Sequence, residues 1–176
     1  MGFQRMGEEL KGAPNEITEE LKSLSKVIDD SATEVRAISH QLMPKVLIEF
    51  GLAPALDDML EKSLGLAGIK YSFETFGNNE RYYEQAELGL YRICQEAINN
   101  ILKHANATEV SVQLLKAGGN LVMMIEDNGK GANFNTTNTG HGITNMQSRA
   151  RTIGADISFD SAPGKGTVIN VRMPLQ

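Results

Sequence analysis

An apolar seam near the start of the chain constrains its fold more than any other feature. Apolar residues fall at Ile17, Leu21, Leu24, Ile28, Val35, Ile38 and Leu42, with Ser31 in the one polar slot. The steps alternate four and three, a period of about 3.5 residues kept for nearly four heptads. A lone surface helix drifts off such a repeat, whereas helices that wrap a partner keep it. Residues 17–42 are therefore expected to form a long bundle helix, whose seam calls for partner helices. Glu16, Glu19 and Glu20 stand at its start, where acids complement the helix dipole, and Pro44 ends or kinks it. A short amphipathic segment follows, with Leu52, Leu56, Met59 and Leu60 at helical spacing.

Charge and glycine separate this arm from the rest. Residues 1–65 carry 7 basic and 12 acidic side chains, whereas residues 66–176 carry 10 of each, so the whole net charge of −5 lies in the first part. An acidic balance argues against a nucleic-acid partner held by a general basic field. The single cysteine, Cys94, excludes an internal disulfide and a multi-cysteine metal site. No apolar run approaches the ~18–20 residues of a membrane span, and composition points to a soluble piece in a reducing compartment. Of 17 glycines, 7 fall between Gly129 and Gly166.

The second part alternates helical and strand periods. Ile69, Tyr71, Phe73 and Thr75 alternate with polar residues and predict a strand. Residues 84–104 read as a helix with Leu88, Tyr91, Cys94, Ile98 and Ile101 on one face. Val110, Val112 and Leu114 predict a strand that a Gly-Gly-Asn turn joins to another over Leu121–Glu126. A loop from Asp127 to Gly142 precedes a helix over 143–153, and strands over Asp156–Asp160 and Thr167–Met173 flank a Pro-Gly-Lys-Gly turn. The expected fold class is α+β: a two-layer α/β sandwich with a mixed, largely antiparallel sheet and helices on one face, preceded by the bundle helix.

Four short stretches carry chemistry. In Gln-Glu-Ala-Ile-Asn-Asn-Ile-Leu-Lys-His, residues 95–104, helical spacing puts Glu96, Asn100 and Lys103 on one face with His104 a turn beyond Asn100. Oxygen ligands beside cations suit a Mg²⁺-bound polyphosphate, although a solvated polar face explains the same residues. In Asp127-Asn-Gly-Lys-Gly131 the carboxylate stands at a strand end, where it can accept from an exocyclic amine. Gly129 and Gly131 allow close backbone approach to a ligand, or form a simple turn. Gly140-His141-Gly142 opens a helix, whose bare N–H groups suit phosphate. Gly164-Lys-Gly-Thr167 lies between two strands, where a hairpin tip is the plainer reading.

In order and spacing these stretches resemble the ATP-binding domain of two-component sensor histidine kinases, within the GHKL ATPases. The Asn box is similar to Arg92–Ala105, and the glycine boxes to Asp127–Gly131, Gly140–Gly142 and Gly164–Thr167. The Gln-Glu-Ala start of the Asn box, the Leu42-Met-Pro44 ending and Phe50-Gly-Leu-Ala-Pro-Ala-Leu56 resemble the subclass that pairs with helix-turn-helix response regulators. The resemblance implies ATP and Mg²⁺ as cofactors. Asn100 would ligate the metal, and Glu96 would support it or polarise the attacking group. Lys103, His104, Gly140, His141 and Gly142 would face phosphates, Asp127 the adenine amine, and Gly129, Gly131, Gly164 and Thr167 the base side of the site. Ala132–Thr139 would cover the nucleotide.

The resemblance also implies a division into a partial dimerisation and phosphotransfer bundle, 1–65, and a catalytic domain, 66–176. Its partners would be a response-regulator receiver domain and a second copy through the bundle. As a domain it would be cytoplasmic, with an inner-membrane anchor in the parent protein left open. The Glu-Leu-His-Asp-like phosphoacceptor motif of the subclass is absent, and His40 stands in a different context. The acceptor histidine is therefore expected outside this chain, and the chain alone is expected not to autophosphorylate. Asn145 and Ser148 stand where the family more often has Gly and Glu. A gyrase-, chaperone- or mismatch-repair-type ATPase and a non-catalytic nucleotide-binding dimerisation module are the alternatives.

Overall fold

The computed structural model describes residues 44–77, 80–132 and 141–175. The seam over 17–42, His40, Gly140 and the covering segment from residue 133 onward lie outside the described residues. Lys45–Gln176 forms one compact unit.

The described chain runs α1 (Lys45–Phe50), α2 (Leu52–Leu60), a π turn (Glu61–Gly65), β1 (Lys70–Phe76), α3 (Glu84–Asn100), a second π turn (Ile101–Ala105), β2 (Glu109–Ala117), β3 (Asn120–Asp127), α4 (His141–Thr152), β4 (Asp156–Ser161) and β5 (Thr167–Pro174). The five strands form one sheet in the order β1-β2-β3-β5-β4. Only β1 and β2 are parallel. That pairing needs a long crossover, which α3 provides, whereas the tight turns at Gly118-Gly119 and Ala162–Gly166 join antiparallel neighbours. The mixed, largely antiparallel sheet expected from the alternation is thus the sheet observed.

Strand period two decides which face is covered. Val110, Val112 and Leu114 of β2, Leu121, Met123 and Ile125 of β3, and Val171 and Met173 of β5 are buried. The intervening Glu126, Asn170 and Arg172 are exposed. The buried face meets Leu56 and Leu60 of α2, Leu64, and Leu90, Ile93 and Ile98 of α3, all fully enclosed. Each such side chain contributes about 1.5–3 kcal/mol relative to exposure. The amphipathic segment grouped above with the arm packs against α3 and lies inside this unit.

One buried charge is built into the helical layer. Glu87 has no exposed surface, and its carboxylate accepts from Arg81 Nε at 3.0 Å, Arg81 Nη2 at 2.9 Å and the Tyr82 N–H at 2.9 Å. The same guanidinium donates to the Leu47 and Ile48 carbonyls, capping the end of α1. A carboxylate without water needs such partners, and the Arg fork meets both its oxygens.

Candidate functional site

A cleft of about 390 Å³ opens between the end of α3, the start of α4 and the edges of β3 and β5. Its size suits a small organic ligand. Asn100, His104, Asp127, Gly131, His141, Gly142 and Thr167 all line it. These residues come from all four chemical stretches, so folding gathers what sequence spacing only suggested.

The floor is apolar at one end. Ile125 of β3, Met146 of α4, Phe159 of β4 and Ile169 of β5 form an apolar slot. Asp127 stands at its edge, only 5% exposed. The carboxylate accepts the Gly129 N–H at 2.8 Å, and Thr167, its partner across the β3–β5 ladder, adds support that favours the charged form. Burial pushes the Asp127 carboxyl above the ordinary carboxylate range, and these hydrogen bonds offset part of that rise. Two carboxylate oxygens have more acceptor capacity than these donors fill, so the group can still take an amine from the cleft.

The other end is polar. Lys130, His104 and His141 supply cationic or donor groups there, beside Asn100. Gly142, in the first turn of α4, rests directly on α3. A Cβ at that position would strike Glu96 Oε1 and stand 3.3 Å from Asn100 Nδ2. The absent side chain lets the N-terminus of α4, the positive end of its dipole, reach the polar face of α3. Glu96 itself adjoins Gly142 without lining the cleft.

Lys103 is exposed and outside the cleft. The reason lies in the backbone. From Ile101 to Ala105 the helix widens to a π turn, in which each residue advances by less than the roughly 100° of an α-helix. Lys103 then falls behind the face of Asn100, while His104 and Ala105 swing into line with it. The turn ends at Asn106 with φ 53°, a left-handed conformation that Asn tolerates better than most residues.

The glycines serve the protein's own packing. At Gly129 a Cβ would run into the Ala105 carbonyl, and at Gly131, with φ +62°, into the Ala162 carbonyl and to within 2.8 Å of the Gly166 carbonyl. Their close approach is thus to protein backbone, not directly to cleft atoms. Gly164 has open space around it at the exposed hairpin tip, whereas Gly166 is buried against the Asp127 backbone. Gly166 was read only as part of the Gly164–Thr167 stretch, and Ser161 carried no signal in the sequence. A Gly-x-Gly pair gives no signal for which member is packed. The apolar wall was more accessible, because Ile125 and Ile169 follow the inward register of β3 and β5.

Mg²⁺ is held by one or two carboxylates or amides together with a ligand's phosphates, not by an all-protein cage. The donor set fits that pattern: Asn100 and Glu96 lie together, and among the described residues no group of three or more His, Cys, Asp or Glu gathers to hold a metal alone.

This fold is that of the ATPase domain of histidine kinases. The histidine kinase domain of the Erythrobacter litoralis EL346 blue-light activated kinase superposes with a TM-score of 0.61 at 18% identity, over 99% of this chain and 95% of that one. Acinetobacter baumannii AdeS gives 0.59 at 14% identity, over 99% and 92%. Residues 85–176, just over half of the chain, match the family of histidine kinase-, DNA gyrase B-, and HSP90-like ATPases, and the chain belongs to it.

Among relatives, the signal transduction histidine-protein kinase/phosphatase DegS of Brevibacillus brevis is 31% identical over 162 residues, 92% of this chain and 42% of that protein. The sensor protein VraS of Staphylococcus aureus is 34% identical over 163 residues, 90% of this chain and 46% of that protein. The chain thus spans less than half the length of either relative. Among the described residues no helix is long and apolar enough to cross a membrane.

Proposed function

We propose that this chain binds Mg²⁺-ATP in the cleft and, as part of a longer sensor kinase, donates the γ-phosphate to a histidine for relay to a response-regulator receiver domain. One observation carries the reading: a nearly buried carboxylate, Asp127, edges an apolar slot whose far end opens on Asn100 and the N-terminus of α4. A purine amine fits the first part and a metal-bound polyphosphate the second. Asn100 and Glu96 would hold Mg²⁺, which neutralises phosphate charge when bound. His104, His141 and Lys130 would meet the phosphates, with Lys103 reaching in from outside. Phosphoryl transfer depends mainly on positioning and electrostatics, so this set needs no protein nucleophile. The seam over 17–42 supports pairing with a second copy of the intact protein, the residues ahead of Lys45 serving as part of that bundle.

Titration with a fluorescent ATP analogue, with and without Mg²⁺, tests the reading. Binding that Mg²⁺ strengthens and Asp127→Asn abolishes is expected. No binding, or binding indifferent to Asp127→Asn, overturns it.

A further inference from the structure

Behind Asp127 lies a hydroxyl junction whose centre no motif contains. Ser161, the last residue of β4, donates from Oγ to the Gly166 carbonyl at 2.7 Å. The same oxygen accepts the Ala132 N–H at 2.8 Å and stands 3.1 Å from Thr167 Oγ1. A serine hydroxyl has one proton and two lone pairs, so three bonds exhaust it. The Gly166 carbonyl can only accept. With Ser161's proton committed there, Thr167 must be the donor in the Ser161–Thr167 bond.

Thr167 is also the partner of Asp127 across the β3–β5 ladder, and Gly166 packs against the Asp127 backbone. We propose that Ser161 is a positioning residue of this site: its hydroxyl ties Ala132, Gly166 and Thr167 together and so holds the strand pair and cleft wall that place the Asp127 carboxylate for a ligand's amine. The proposal rests on the adenine-nucleotide reading and deepens it.

Remove the Ser161 hydroxyl and two things follow. Gly166 and Thr167 lose the tie that fixes them beside Asp127. The Ala132 N–H, at the cleft wall, loses its acceptor. Both act on the base end and leave the polar end unchanged.

The test compares Ser161→Ala, Ser161→Thr and Ser161→Val, measuring affinity for ATP and for ITP, whose base lacks the amino group. Thr and Val share a shape and differ in the hydroxyl, and a strand end accepts either. Loss of one such hydrogen bond predicts about three- to tenfold weaker ATP binding in the Ala and Val variants, with ITP changed less and Ser161→Thr close to wild type. A role limited to folding would weaken both nucleotides equally. That outcome, or ATP binding by Ser161→Val equal to that of Ser161→Thr, overturns the proposal while Asp127→Asn still reports on the nucleotide reading. If the wild-type chain binds no ATP, that reading falls and this proposal with it.

Discussion

Three glycines separate the energetic roles that alanine would disturb. Gly65 closes the first π turn with ordinary φ and nothing within 4 Å of where a methyl group would stand, so Gly65→Ala removes only unfolded-state freedom. It is expected to stabilise the fold by about 0.5–1 kcal/mol. Gly164 has φ +76° but open space, so Gly164→Ala costs only the left-handed backbone, about 1–2 kcal/mol. Gly131 adds to φ +62° a collision with the Ala162 carbonyl and a Gly166 carbonyl at 2.8 Å. Crowding of that kind costs a further ~1–3 kcal/mol, for a total of about 2–5 kcal/mol.

Urea unfolding followed by tyrosine fluorescence checks this ladder. All four tyrosines, Tyr71, Tyr82, Tyr83 and Tyr91, lie in the Lys45–Gln176 unit and the chain has no tryptophan, so the signal belongs to that unit. With a slope of about 2 kcal/mol per molar urea, Gly131→Ala lowers the midpoint by about 1–2.5 M and Gly164→Ala by about 0.5–1 M. Equal midpoints for Gly131→Ala and Gly164→Ala would refute the claim that two carbonyls close around Gly131.

Other outcomes follow from the two strongly placed titratable groups. Cys94 is fully buried and its thiol is pushed up to about 12 by desolvation. At pH 8 only about one molecule in ten thousand carries the thiolate, so iodoacetamide should label Cys94 upon unfolding and not before, and prompt stoichiometric labelling of the folded chain would contradict its burial. Burial raises Asp127, so the folded state holds that proton at pH values where the unfolded chain has lost it; its contribution to stability is full below the unfolded pKa and disappears as pH rises through the folded one. ATP affinity should move the opposite way, falling as acid protonates Asp127, with proton release on binding measurable by calorimetry in buffers of different ionisation heat; affinity flat across that range would count against Asp127 as the acceptor.

How far the sequence could be read depended on whether a feature leaves a local pattern. Alternation exposed β2, because a sheet covered on one face forces period two on Val110–Leu114, whereas the unbroken apolar run Leu121–Ile125 was legible from the turn before it. The helix of residues 84–104 was visible for the same reason, yet its π turn was not. Ile-Leu-Lys-His-Ala has no Gly or Pro to mark a change of pitch. The turn is fastened instead by a contact from elsewhere in the chain, the Lys130 N–H donating to the Ala105 carbonyl at 2.7 Å. Lys103 was placed by α-helical arithmetic and so fell on the wrong side of that change. Glu87 left no signal in the sequence, because its burial depends on Arg81, six residues earlier in a non-helical stretch.

Asp127 shows why the site and its supports differ in legibility. A carboxylate at 5% exposure disfavours its own ionisation, and the fold offsets this only in part through Gly129 and Thr167. A chain selected for stability alone would do better with a neutral residue there. Asn keeps the carbonyl acceptor for the Gly129 N–H without the buried charge, so Asp127→Asn should hold or raise the urea midpoint at neutral pH while nucleotide binding is lost. The acid therefore makes sense as a binding group, and a carboxylate between a strand and a glycine announces itself in sequence. Ser161 does not. Its hydroxyl matters through the three groups it ties together, and a serine opening a hairpin reads the same whether it meets water or three partners.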